Sequence, residues 1–327
     1  MIESFFATLN PMLMLFTIIA IGFILRKTKI LPEDAGKTMA KLETWVFCPA
    51  LSFVTMVNYC TPETLATHAT NILLSLLVLA VAIGIGILLA RIFVRKKSAE
   101  RGIYCYALVF ANSGYMGDSI VIALFGDEML SYYKIFCLPV SLAILTWGIS
   151  MLIPKGEKKG DALKVLLNPS VLALLLGVVA GLLNFGKIMP SFLGLTLDGL
   201  KSCMGPVAML LAGFTIAGYK TREIIGDKKV CVASVLRITL IPAVLIAMLF
   251  GAKELANLLF DLNIGNTVLY LAFFAYASAL GLNTIVFPEA YGGNPKTGAS
   301  MALISHTMGV ILIPLMYSLM TLIFGSV

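Results

Sequence analysis

One carboxylate stands out in this sequence. Asp118 lies in Asn112-Ser113-Gly114-Tyr115-Met116-Gly117-Asp118-Ser119, inside an otherwise apolar region. A carboxylate at membrane depth is costly unless it is paired, hydrated or protonated. It can bind a cation, exchange a proton, meet a positive group on a substrate, or simply cap the helix that follows. A second stretch of the same character is Ser278-Ala279-Leu280-Gly281-Leu282-Asn283-Thr284. Gly114, Gly117 and Gly281 weaken helix continuity there, and Asn, Asp and Ser compete for backbone groups and start new helices. Two helices interrupted near mid-membrane would aim free N–H groups and positive dipole ends at one locus, which suits an anionic group. The candidate substrate-binding residues are Asn112, Ser113, Tyr115, Asp118, Ser119, Ser278, Asn283 and Thr284, with Gly114, Gly117 and Gly281 as the breaks. Asp118 and His306 are the candidates for coupling to H⁺ or Na⁺. His306, about ten residues into the last apolar span, reads equally as an interhelical hydrogen-bonding group or a proton relay.

The elements that must position these residues follow from composition. Of 327 residues, 59% are hydrophobic and 13% charged, with a mean hydropathy of +0.97. A soluble domain is about a quarter charged, so a soluble enzyme, a secreted disulfide scaffold and a disordered chain are all excluded. Ile72 to Ala90 runs without a charge, and a bilayer crossing needs about 20 such residues. The pattern predicts an all-α integral membrane protein with ten spans, near 8–26, 36–57, 69–94, 102–126, 130–153, 167–185, 197–218, 229–251, 265–291 and 297–325. No connection is long enough for a soluble domain; the longest surrounds Lys155 to Lys164. No leader with a basic start is expected in Met1 to Asn10.

Charge sets the orientation. The net charge is +7, which in a membrane chain reflects cytoplasmic loops rather than nucleic acid. Alternate connections carry nearly all the lysine and arginine: Arg26 to Lys41, Arg91 to Arg101, Lys155 to Lys164, Lys220 to Lys229, and Lys296. The opposite face has only Lys134, Lys187, Lys201 and Lys253. The basic face is assigned to the cytoplasm, which leaves both termini outside a cell membrane. Glu43 and Arg237 fall near cytoplasmic ends of spans two and eight, where Lys and Arg snorkel to the interface, so structural roles are expected of both. The six cysteines form no CxxC pair and read as buried small hydrophobes. No metal-ligand cluster, nucleotide-binding loop or hydrolase motif is present in the sequence, so no enzyme activity and no cofactor are expected, and any transport is secondary or facilitated.

Five spans per half would insert a duplicated half upside down. At an offset of 166, FANSGYMGDSIVIALFG (Phe110 to Gly126) aligns with YASALGLNTIVFPEAYG (Tyr276 to Gly292), and PALSF at Pro49 corresponds to PVAML at Pro206. The Asn-x-Gly-x-x-Gly run from Asn112, ending in Ala123 to Gly126, resembles the fourth helix of the auxin efflux carrier family of membrane transporters. LNTIVFPEAYGG (Leu282 to Gly293), followed by GASMALISHTMGVILIPL, resembles the family's last two spans. The resemblance implies two inverted five-helix repeats, 1–153 and 167–327, joined by a short cytoplasmic loop at 154–166. It implies a scaffold of spans 1, 2, 6 and 7, through which a homodimer could form. It also implies a transport domain of spans 3–5 and 8–10, with spans four and nine crossing at the substrate and an elevator-type motion. Family members move organic anions such as dicarboxylates. This chain departs from the pattern at Ser119 and Ala279, aligned with crossing prolines, and at Asp118, where relatives often have an apolar residue. The expected function is secondary transport of small organic anions. Two alternatives stand beside it: an Na⁺- or H⁺-coupled carrier of another solute on a bile-acid-symporter plan, and a membrane sensor or channel without turnover.

Overall fold

The computed structural model describes residues 2–96, 98–153, 168–220 and 226–325. The expected loop at 154–166, with Lys155, Lys158, Lys159 and Lys164, lies outside the described residues, as does Arg222. The described chain is all helical apart from one isolated bridge. Its helices are α1 (Ile2–Lys27), α2 (Ala35–Tyr59), α3 (Ala69–Phe93), α4 (Ala99–Val109), α5 (Asp118–Phe136), α6 (Leu138–Leu152), α7 (Pro169–Leu182), α8 (Ser191–Ala217), α9 (Lys228–Phe260), α10 (Thr267–Ala277), α11 (Asn283–Ala290) and α12 (Lys296–Phe324). Six of these, α1, α2, α3, α8, α9 and α12, are long and apolar enough to cross a membrane. The pair Glu128–Phe136 and α6, bent by 48° at its junction, makes a seventh. The remaining expected spans are shorter or broken, and α7 and α10 are apolar helices of 14 and 11 residues.

Local chemistry sets the ends of several helices. Asn168 accepts the Ser170 N–H ahead of Pro169, Ser98 accepts the Arg101 N–H, and Asp227 accepts the Lys229 N–H. Each satisfies one of the donors orphaned in a first turn. Within α2, the stretch Glu43–Phe47 widens into a π-turn just before Pro49, which has no N–H to offer the preceding turn.

Glycine governs how the outer pairs of helices pack. A Cβ at Gly213 of α8 would stand 1.8 Å from the Ile19 carbonyl of α1, and one at Gly22 of α1 would stand 2.1 Å from the Leu210 carbonyl. The pair α2 and α7 meets in the same way, with Gly177 and Gly181 against the Phe53 and Met56 carbonyls at 2.9 and 2.5 Å. Small residues let backbones approach where lipid offers no hydrophobic drive for association.

The core lies elsewhere. Ile103 to Phe110 at the end of α4 and Val268 to Ala277 in α10 are buried at every position. A helix that is apolar all round is one that is enclosed on all sides, and these two half-helices approach the centre of the molecule from their N-terminal ends. Arg237 and Glu43 are also inside, with 2% and 0% exposure. The snorkelling open to Arg237 does not occur. Arg237 donates instead to the Tyr276 carbonyl at 2.7 Å, in the last turn of α10, where a cation meets the negative end of the helix dipole. Of the six free cysteines, Cys48, Cys60, Cys105 and Cys137 are buried, Cys231 is partly so and Cys203 is exposed.

Candidate functional site

The fourth span is broken, but not over the stretch read from the sequence. Helix α4 stops at Val109; Phe110 is extended, Ala111 forms a bridge, and Asn112, with φ −80° and ψ 52°, is neither helical nor extended. The chain re-enters a π-turn at Ser113–Gly117 and continues as α5 from Asp118. Ser113, Gly114, Tyr115, Gly117, Asp118 and Ser119 are therefore helical, and Asp118 lies inside the helix rather than capping it. The ninth span unwinds over 278–282, between α10 and α11. Ser278 and Gly281 fall in that break, while Asn283 and Thr284 open α11.

The two unwound segments meet. The Asn112 N–H donates to the Ala279 carbonyl at 2.7 Å, and Ala111 pairs with Leu280 as an antiparallel bridge. The Leu280 N–H donates to Ser305 Oγ at 3.2 Å, and the Ala279 N–H to Met116 Sδ at 3.4 Å. These contacts satisfy backbone that could not be left open in an apolar medium. The residue facing Ala279 is Asn112, and Ser119 lies further along α5, away from the crossing. The Asn112 amide also faces His306 Nε2 at 3.5 Å, while His306 Nδ1 is 2.8 Å from the Ala302 carbonyl. That carbonyl can only accept, so Nδ1 carries the proton and Nε2 accepts from Asn112. Both ring nitrogens are engaged behind the crossing.

A cavity of about 100 Å³ opens on the crossing. Asn112, Ser113, Gly114, Tyr115 and Asp118 form one wall, and Gly281, Leu282 and Asn283 another. Helix α2 contributes Cys48, Leu51, Ser52, Thr55 and Met56, and α8 contributes Met204. Tyr106, Tyr133, Lys134 and Ser141 add further polar groups to its lining. A second space of about 340 Å³ shares Gly114, Tyr115, Asp118 and Lys134, and adds Asn58, Tyr59, Ser119 and Lys201. Ser278, Thr284 and His306 line neither. Thr284 Oγ1 donates to the Gly281 carbonyl at 3.1 Å, and Ser278 is 2% exposed with its hydroxyl unpartnered.

Lys134 is the functional group that sequence reasoning missed. It was counted with the outer loop charges, yet its side chain is only 15% exposed and forms an ion pair with Asp118. Sixteen residues along one straight helix would separate the two by about 24 Å. Gly126 closes the distance: with φ 77° and ψ −169° it turns the chain back inside α5. Gly292, at the offset of 166 read from the sequence, has φ 74° and occupies the same place between α11 and α12. Both positions need a conformation that L side chains rarely adopt. The signal available in the sequence was Gly126-Asp127-Glu128, a turn placed to return a lysine toward Asp118.

The two lysines at the site are each paired with a carboxylate, and the unpaired donors are backbone N–H groups. Lys134 neutralises Asp118, and Lys201, bonded to Asp198 at 2.7 Å, lines the adjoining space. The N–H groups of Ser113, Gly114 and Tyr115 precede the first backbone bonds to Asn112, which come from Met116 and Gly117 at 3.0 and 3.1 Å. The Tyr133 hydroxyl steadies this helix start by donating to the Ser113 carbonyl at 3.0 Å. Opposite, the Asn283 amide donates to the Tyr106 hydroxyl at 2.8 Å. Tyr106→Phe leaves that amide unpaired and should cost about 1–2 kcal/mol. A double-mutant cycle with Asn283→Ala, read by thermal unfolding, should return a coupling energy of that order; additive effects would show that the bond contributes nothing. No group of three His, Cys, Asp or Glu side chains suited to a metal occurs among the described residues.

Comparison with known proteins bears on the whole chain. The family described as "Membrane transport protein" matches residues 7–162 and again 159–317. A Rhizobium meliloti (strain 1021) protein named "Putative malonate transporter" is 28% identical over 218 residues, covering 62% of this chain and 64% of that protein. The match thus spans somewhat less than two thirds of that relative's length. An "Uncharacterized transporter" of Methanocaldococcus jannaschii is 23% identical over 255 residues, covering 76% of this chain and 80% of its own.

Proposed function

Because the chain belongs to the membrane transport protein family, that of the auxin efflux carriers, we propose that it is a secondary carrier of small organic anions, with dicarboxylates such as malonate as the substrate class. The family places it among transporters rather than enzymes. One observation carries the substrate reading: the cavity at the crossing joins Lys134 to the open start of the helix at Ser113 and Gly114. A compact dianion fits both, one carboxylate on the ammonium and the other on the backbone donors. Tyr106, Asn112 and Asn283 then supply neutral hydrogen bonds that fix its orientation. The relative named for malonate supports the same class.

The organisation we propose is ten crossings in two inverted halves, 1–153 and 167–327, with both ends outside a cell membrane. Two features support it. Helix α1 packs on α8 through glycines as α7 packs on α2, which is the exchange expected when the two halves swap partners. Gly126 and Gly292 make the same turn after each broken helix. The cavity then lies between a scaffold that includes α1, α2, α7 and α8 and a moving group that carries the crossing, and alternating access is a displacement of that group as an elevator.

Counterflow in proteoliposomes tests this function. Vesicles loaded with unlabelled malonate should take up labelled malonate faster than empty ones, and succinate inside should accelerate it as well. A channel or sensor shows no such stimulation from the far side. Failure of every small carboxylate to stimulate exchange, in protein that remains folded, would remove the organic-anion reading.

A further inference from the structure

Glu43 carries a chemistry that the substrate cavity does not use. It is fully buried in the π-turn of α2, lines neither space at the crossing, and has the Ala208 backbone as a polar neighbour, with no hydrogen bond of good geometry to either carboxylate oxygen. π-turns within helices recur at functional sites, and an intramembrane carboxylate demands a partner, water or a proton. Among the described residues none of the ion pairs involves it.

Its neighbours can be named element by element. On its own helix, Lys37 and Lys41 are exposed and point away, and Cys48 lies just beyond the π-turn. Helix α8 brings the Ala208 backbone; its charged pair, Asp198 and Lys201, is two or more turns nearer the other end of the helix and is mutually bonded. Helix α7 brings Ser170, whose hydroxyl donates to the Thr44 carbonyl at 3.3 Å. The one charged residue of α11, Glu289, is at its far end, within electrostatic reach of Tyr219. The helix start at Ser113 brings Tyr115, within electrostatic reach of Glu43 and with its own buried hydroxyl unpartnered. Among the described residues no cation pairs with Glu43. A metal ion would need several oxygen ligands, and no second carboxylate is present. A bound proton answers the burial with one hydrogen atom.

The position gives that proton a use. Glu43 belongs to α2, on the scaffold side, whereas Tyr115 belongs to the segment that carries the crossing. The Tyr115 ring fills the notch left by Gly205 of α8, where a Cβ would stand 2.9 Å from Cδ1. Displacing the crossing pulls this ring from the notch and exposes Glu43 to whatever fills it. We propose that Glu43 is the proton-carrying group of the transport cycle, protonated while Tyr115 seals the seam and deprotonated to water when the seam opens. The proton is taken from water on one side and released to water on the other, and the side chain alternates between carboxyl and carboxylate with no other species involved. This rests on the carrier reading above, which supplies the displacement.

Two measurements on the full-length protein decide it. Infrared spectra of wild type, Glu43→Gln and Asp118→Asn at neutral pH should show the carbonyl stretch of a buried protonated carboxyl in wild type and Asp118→Asn and its loss in Glu43→Gln. This readout requires no transport, so it judges Glu43 even if the substrate class is wrong. An absent band, or one unchanged in Glu43→Gln, overturns the proposal. In malonate-loaded proteoliposomes, Glu43→Gln imitates the protonated state, so exchange persists while net uptake loses its pH dependence and its accompanying proton movement. Retention of the wild-type pH profile by Glu43→Gln overturns the proposal. Should Glu43→Gln fold poorly, Glu43→Asp should keep the band with a shifted titration midpoint, and a midpoint identical to wild type counts against it. Absence of carboxylate counterflow in wild type, with the infrared band present, condemns the carrier reading and leaves the protonated Glu43 standing.

Discussion

Lys134→Met should abolish the proposed carboxylate exchange and lower stability by about 2–4 kcal/mol, somewhat below the ~3–5 kcal/mol typical of breaking a fully buried pair. The discount reflects geometry: the Lys134 and Asp118 side chains are 15% and 21% exposed, so some hydration remains available. The cost falls mainly on Asp118. Its Oδ1 is already without a partner, and Lys134 is its only hydrogen-bonded cation among the described residues. Thermal unfolding of the purified protein measures the first effect and counterflow the second. The variant Lys134→Met with Asp118→Leu separates them. Removing both charges restores much of the stability, since a buried ion pair is often replaceable by apolar groups, but exchange stays lost because the anion has no ammonium to meet. Wild-type exchange in Lys134→Met would show that the substrate does not use this residue.

Gly213→Val should destabilise the fold by about 3 kcal/mol or more, at the upper end for overpacking. The new Cβ would stand 1.8 Å from the Ile19 carbonyl, so α1 and α8 must separate. That separation also weakens Arg26, which donates to the Phe214 carbonyl at 3.1 Å and lies over the Phe214 ring at 4.8 Å. The control is Gly199→Ala on the same helix. A Cβ there meets nothing within 4 Å, and alanine in a helix interior is favoured over glycine by roughly 0.5–1 kcal/mol. The yield of folded protein in mild detergent should fall sharply for the first and hold for the second; equal yields would mean that the close approach of α1 and α8 is not required.

Much of this was readable in advance, and particular residues show where reading stopped. The apolar runs and the two glycine-rich interruptions located the crossing to within a few residues. The start of the first break was missed because Phe110 and Ala111 look like continuing helix; only the Asn112–Ala279 bond and the bridge to Leu280 hold them extended. Lys134 was misplaced for a related reason. A count of loop charges treats every lysine as a topology marker, and a spacing of sixteen is no helical neighbour relation, so the pair with Asp118 exists only through the turn at Gly126. Glu43 and Arg237 were assigned structural roles because a helix-end position permits snorkelling. Packing by α8 over Glu43, and the Tyr276 carbonyl waiting for Arg237, are facts of three dimensions.

The hydrogen bonds at the crossing have a shared ownership. Asn112 with Ala279, Ala279 with Met116, and Asn283 with Tyr106 join the segments 99–136 and 267–324 to one another, while Leu280 with Ser305 and Ser113 with Tyr133 each tie one segment to itself. None reaches α1, α2, α7 or α8, which meet this group across side chains and the cavity. The unwound backbone therefore carries its own solvation. A slide relative to those four helices would leave these bonds intact, and would break the bond from the Asn168 amide at the start of α7 to the Tyr291 hydroxyl, 2.8 Å, and draw Tyr115 from its notch.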